Sequence, residues 1–124
     1  EEIDLTGRCR AGLVRVDAIP DSHGEYTCTQ VWASEEKSSQ VLPKLSLSSG
    51  LLYVYTYDRR TDGEYDFFLT AVDFRTGQTA FSIPTGTGLD YANFGQPLII
   101  GPDSTAYIGT MNGLVLVRDG QTEE

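Results

Sequence analysis

Ala71-Val72-Asp73-Phe74-Arg75-Thr76-Gly77-Gln78-Thr79-Ala80-Phe81 holds a strand end, a polar turn and the start of a second strand. The side chains of Asp73 and Thr76 can bond the turn backbone, and Gly77 can take positive φ without a Cβ penalty. Ala71 leaves room for a neighbouring ring, and Phe81 is large enough to fill a gap between packed sheets. On the N-terminal side, Phe67-Phe68-Leu69-Thr70-Ala71-Val72 is a strand without charges. Past the turn, Gln78 to Ile83 reads as the next strand, and Pro84-Thr85-Gly86-Thr87-Gly88 as a glycine-rich exit.

One step further out lies the clearest strand of the chain, Leu51 to Tyr57. Leu52, Val54 and Thr56 point one way, and Tyr53, Tyr55 and Tyr57 point the other. Neither face carries a charge, which fits a sheet packed between two other sheets better than a two-layer sandwich with one wet face. Towards the N-terminus, Gly12 to Asp17 and Tyr26 to Trp32 form a hairpin around the loop Ile19-Pro20-Asp21-Ser22-His23-Gly24. Ser34 to Gln40 reads as a connector, because no apolar stripe follows Glu35-Glu36-Lys37 to support a helix. Leu45-Ser46-Leu47 is a short strand after Pro43. Towards the C-terminus, Pro97 to Ile100, Thr105 to Met111 and Leu114 to Arg118 are strands, and Asn112-Gly113 predicts a type I′ hairpin turn.

The units repeat at about 50 residues, a period typical of radial or solenoid arrays. Pro43 answers to Pro97, and Leu52-Tyr53-Val54-Tyr55-Thr56 to Ala106-Tyr107-Ile108-Gly109-Thr110. Gly77-Gln78-Thr79 answers to Gly120-Gln121-Thr122, and Gly12-Leu13-Val14-Arg15-Val16 to Gly113-Leu114-Val115-Leu116-Val117. Trp32 and Phe81 each close a strand after a turn. The pattern predicts an all-β chain, a segment of a β-propeller built of four-stranded antiparallel blades. Residues 1–33 would end one blade, 41–84 would make a complete blade, and 96–122 a partial one. That is about two and a quarter blades, whereas a closed ring has about 4–8. A fragment of a longer polypeptide is the expectation, with several copies in one ring as the alternative.

Ala71-x-Asp73-x-x-Thr76-Gly77-x-x-x-Phe81 resembles the tryptophan-docking motif A-x-D-x-x-T-G-x-x-x-W of quinoprotein-like propellers, the superfamily built of pyrroloquinoline quinone (PQQ) repeats. Phe81 stands where that family usually has Trp, and Trp32 sits at the matching place one blade earlier. The resemblance spans roughly Gly12 to Gln121 and implies a fold more than a chemistry, because many members bind no quinone. It implies a structural docking set of Ala71, Asp73, Thr76, Gly77, Phe81 and Trp32. The quinone platform of the family includes adjacent cysteines, and this chain has only the widely separated Cys9 and Cys28.

The formal charge of −9 over 124 residues repels phosphate backbones and anionic lipid, so nucleic acid is not an expected partner. No apolar run approaches the roughly 20 residues of a membrane-spanning helix. The first residue is Glu1 and no signal peptide is evident, as in a processed product or a piece of a longer chain. Cys9 and Cys28 are expected to form a disulfide worth roughly 3 kcal/mol, with two free buried thiols as the alternative. A bridge places the protein in a secreted or periplasmic setting.

Candidates for chemistry are few. Asp58, Asp62, Glu64 and Asp66 crowd one loop around Gly63 and offer oxygen ligands for Ca²⁺, in an order unlike an EF-hand. His23 lies beside Asp21 and Ser22, too close in sequence for a catalytic relay, and reads as a turn residue. Tyr91, Asn93 and Phe94 follow the glycine-rich crossing and are candidates for a ligand rim, including a sugar. No catalytic residue and no cofactor is expected. The main expectation is a non-catalytic scaffold for protein–protein or ligand interaction, its partners other blades, copies of the chain, or an unknown protein. One alternative is part of a PQQ-type oxidoreductase or hydrolase using PQQ or Ca²⁺, with its catalytic residues outside this segment. Another is a sugar-binding propeller assembled from several short chains.

Overall fold

A computed structural model describes residues 11–39 and 41–120. All its sheets are antiparallel. Strands β1 (Leu13–Pro20) and β2 (Tyr26–Ser34) make a two-stranded sheet. Strands β3 (Lys44–Ser46), β4 (Leu51–Arg59), β5 (Tyr65–Asp73) and β6 (Thr79–Thr87) make a four-stranded one in sequential order. Strands β7 (Leu98–Ile100), β8 (Ala106–Thr110) and β9 (Gly113–Val117) make a three-stranded one. A 3-10 turn, Leu89–Tyr91, joins the second and third sheets.

The middle sheet has both faces covered, and β4 shows how. Leu52 and Val54 join Val72 of β5 in a cluster with Leu13 and Trp32 of the first sheet. Tyr53, Tyr55 and Tyr57 turn the other way and meet Leu98, Ala106 and Ile108 of the third sheet, together with Phe67 and Leu69. Val54 and Tyr55 are adjacent and both fully buried, which only a strand with two dry faces allows. Tyr55 and Phe67 stack at 5.7 Å, and the Tyr55 hydroxyl donates to the Tyr91 carbonyl oxygen at 2.8 Å. Burial pushes the Tyr55 hydroxyl pKa up.

Several elements differ from what the sequence predicts, each for a local reason. The connector before β3 is not a free loop. The Ser39 amide donates to Tyr55 and the Tyr57 amide to Lys37, so residues 37–39 extend the line of β3 along β4. β6 runs on through Pro84 to Thr87, where a glycine-rich exit is expected. Pro84 pairs with Phe68 on the edge strand, where a missing N–H costs no ladder bond. The last hairpin turns one residue early. Thr110 pairs with Gly113, so Met111 and Asn112 occupy the turn. Their amides donate to Ala92 and Asp90, and Gly113 is extended at φ 158°. These contacts with the 3-10 segment hold the turn in a form other than type I′.

Candidate functional site

Polar and cation–π contacts from the first sheet to the second converge on the turn Asp73–Gly77. Asp73 Oδ1 accepts the amides of Arg75 and Thr76, each at 2.9 Å, and the Gly77 amide donates to the Asp73 carbonyl at 2.8 Å. Those bonds, the Thr76 amide first, hold the Asp73 carboxyl pKa below its ordinary value. Gly77 has φ 76°, in the region glycine favours. The Phe74 amide donates to Gly50, which ties the turn to the start of β4.

The turn is shaped to receive the first sheet. Trp32 Nε1 donates to the Phe74 carbonyl at 2.8 Å, and the Trp32 ring lies so close to Gly77 that a Cβ there would sit 2.6 Å from Cδ2. Arg15 is the second anchor. Its Nη1 donates to the same Phe74 carbonyl at 2.9 Å, its guanidinium lies 4.1 Å from the centre of the Phe74 ring, and its Nε and Nη2 grip Asp17. That fork raises the Arg15 pKa and lowers that of Asp17. Sequence inspection does not single out Arg15. Its signal is a charge at the position where β1 alternation, set by buried Leu13, points inward.

The docking residues do not form one cluster. Asp73, Gly77 and Trp32 gather at the clasp, Thr76 Oγ1 accepts the Gln78 amide at the turn's far end, and Ala71 is paired between Tyr53 and Phe81 in the ladder. Phe81 lies on the opposite face of the middle sheet, edge-on to Tyr53 at 6.3 Å, and is 38% exposed. Of the matching sequence Gly120-Gln121-Thr122, Gln121 and Thr122 lie outside the described residues.

Several of the remaining candidates are held by structural bonds. Arg60 reaches Asp62 at 3.1 Å and Asp66 at 3.7 Å, placing a cation among the carboxylates proposed for Ca²⁺. Asp62 also accepts the Glu64 amide, and Asp58 pairs across the ladder with Asp66. Among the described residues no group of three or more His, Cys, Asp or Glu is arranged to hold a metal ion. In the β1–β2 turn, Ser22 Oγ and Asp21 Oδ2 both approach Nδ1 of His23, at 3.4 and 3.9 Å. A relay would need them on opposite ring nitrogens. Asn93 is buried, its amide donating to Gln96 and Gly109 and its carbonyl accepting from Gly95. Tyr91 lies against Gly86 and is partly exposed, and Phe94 is exposed. Cys9 lies outside the described residues, and Cys28 is a free, exposed thiol on β2. Among the described residues no helix is long and apolar enough to cross a membrane.

No known family model matches the chain, and no curated protein matches it.

Proposed function

We propose that the chain is a segment of a quinoprotein-like β-propeller that serves as a non-catalytic interaction scaffold in an extracytoplasmic compartment. The observation that carries this is the sense of stacking. The Leu52 and Val54 face of the middle sheet receives Trp32 and Leu13 from the sheet before it, and the tyrosine face receives the sheet after it. In the third sheet, Ala106 and Ile108 face backwards just as Leu52 and Val54 do one repeat earlier. A one-way stack of this kind is the construction principle of a propeller. Asp73, Arg15, Trp32 and Asn93 commit their polar groups to turns and clasps, which supports a scaffold role.

Hydrogen exchange combined with an activity assay tests the proposal. Amides of β4 and β5 are expected to exchange slowest, with those of β1, β2 and β9 faster. Dye-linked oxidation of alcohols and aldoses after adding PQQ and Ca²⁺ is expected to stay at the blank rate. Turnover above blank sinks the non-catalytic role, and equal exchange rates in all three sheets sink the stack.

A further inference from the structure

Asn112 and Gly113 sit at the turn of the last hairpin, and the pair carries a chemistry of its own. Asn112 is exposed, and among the described residues its carboxamide has no hydrogen-bond partner. The residue after it is glycine, so no side chain shields the next backbone nitrogen from that carboxamide. Asn93, the other asparagine of the chain, is the opposite case. It is buried, its Nδ2 is held by the carbonyls of Gln96 and Gly109, and a phenylalanine follows it. Asp62-Gly63 offers the same unshielded nitrogen, but the Asp62 carboxylate is held by Arg60 and by the Glu64 amide. A carboxylate is also a poorer target for a nucleophile than an amide.

We propose that Asn112 is a site of spontaneous deamidation, and that its conversion to isoaspartate unties the last hairpin from the 3-10 segment. The Gly113 nitrogen loses its proton to base and attacks Cγ of Asn112. The N–Cγ bond forms, the Cγ–Nδ2 bond breaks, and the side-chain nitrogen leaves as ammonia with the proton that Gly113 gave up. Water then opens the cyclic imide. Opening at Cγ gives aspartate, and opening at the main-chain carbonyl gives isoaspartate, whose backbone runs through Cβ and Cγ. Gly113 is paired with Thr110 in the ladder, so the attack proceeds when the turn opens locally. In the closed turn, Met111 and Asn112 alone span Thr110 to Gly113 and aim their amides at the carbonyls of Ala92 and Asp90, at 2.9 and 3.3 Å. Isoaspartate adds a methylene to that main chain, so the ladder pair and both amide bonds are not kept together. Asn93 and Phe94, the rim candidates, follow Ala92 directly. The change therefore reaches a surface that the scaffold reading leaves for a ligand, although the deamidation itself is independent of that reading.

Ageing the chain in warm buffer over a series of mildly alkaline pH values, followed by peptide mapping, reads the site. The expected product is a more acidic form, heavier by OH in place of NH2 and mapped to Asn112, with isoaspartate identified by an isoaspartate-specific methyltransferase. Its rate should rise with hydroxide, and Asn93 should stay an amide. Asn112→Gln should block the change, because ring closure through the longer side chain is much slower. Isomerisation at Asp62 or Asp119 leaves the mass unchanged and is told apart in this way. The aged form, separated by ion exchange, should exchange its Met111 amide at least about tenfold faster than fresh protein. Asn112→Asp adds the charge without the methylene and should exchange that amide like fresh protein. Position 112 is exposed, and an unchanged circular dichroism spectrum verifies that both variants fold. An Asn112 still intact when an Asn-Gly peptide in the same buffer has been consumed overturns the site. Conversion with Met111 exchange unchanged, or matched by Asn112→Asp, overturns the untying.

Discussion

At the scale of single residues, the clasp divides its work between a ring and a carbonyl. The Trp32 ring fills the space above Gly77, and its N–H shares the Phe74 carbonyl with Arg15. Trp32→Ala removes the ring and is expected to cost about 3–5 kcal/mol by chemical denaturation. Trp32→Phe keeps most of the ring and leaves the carbonyl its Arg15 donor, so about 1 kcal/mol is expected. Gly77→Ala puts a Cβ into the Trp32 ring at positive φ, and should shift Trp32 emission to the red. Asp73 gives a pH signature. Its folded pKa lies below the ordinary 3.8, so its contribution is complete above that value and is lost as pH falls through the folded pKa. Asp73→Asn should melt at lower temperature at neutral pH, and its melting temperature should fall less between neutral pH and the acid limb. An acid limb as steep as wild type would count against the carboxylate.

At the scale of elements, the middle sheet adds a hydroxyl ladder to its apolar faces. Thr56 and Thr70 are 2.7 Å apart and Thr70 and Ser82 2.8 Å, which links β4, β5 and β6. Thr70→Val keeps the shape and strips both neighbours of a partner, at an expected cost of about 1–3 kcal/mol in denaturant titration. A variant as stable as wild type would mean that water takes the vacated bonds. The β4 alternation is legible in sequence because both of its faces are uncharged, and a strand with two dry faces implies sheets on either side. Pro84 hides the second half of β6, since proline reads as a stop unless the strand is known to be an edge. Asn112-Gly113 misleads by one residue because the 3-10 segment, set by tertiary contacts, holds Met111 and Asn112. At the clasp, the Asp-x-x-Thr-Gly turn is plain in the sequence. Arg15 is not, because its partner is a backbone carbonyl distant in the chain.

At the scale of the whole molecule, contacts within sheets and contacts between sheets have different ranges. Each hairpin pairs neighbours across a short turn, whereas the Trp32 bond to Phe74 spans 42 residues. Closing a longer loop costs more entropy before any contact repays it, so local pairings lead in time. The β4–β5–β6 meander is therefore the expected folding nucleus, and docking of the first sheet a late event. In stopped-flow refolding, Trp32→Phe should leave the folding rate nearly unchanged and speed unfolding, a φ-value near zero. Thr70→Val should slow folding instead. The single tryptophan would then act as a clock for the last step, the arrival of one finished sheet on another.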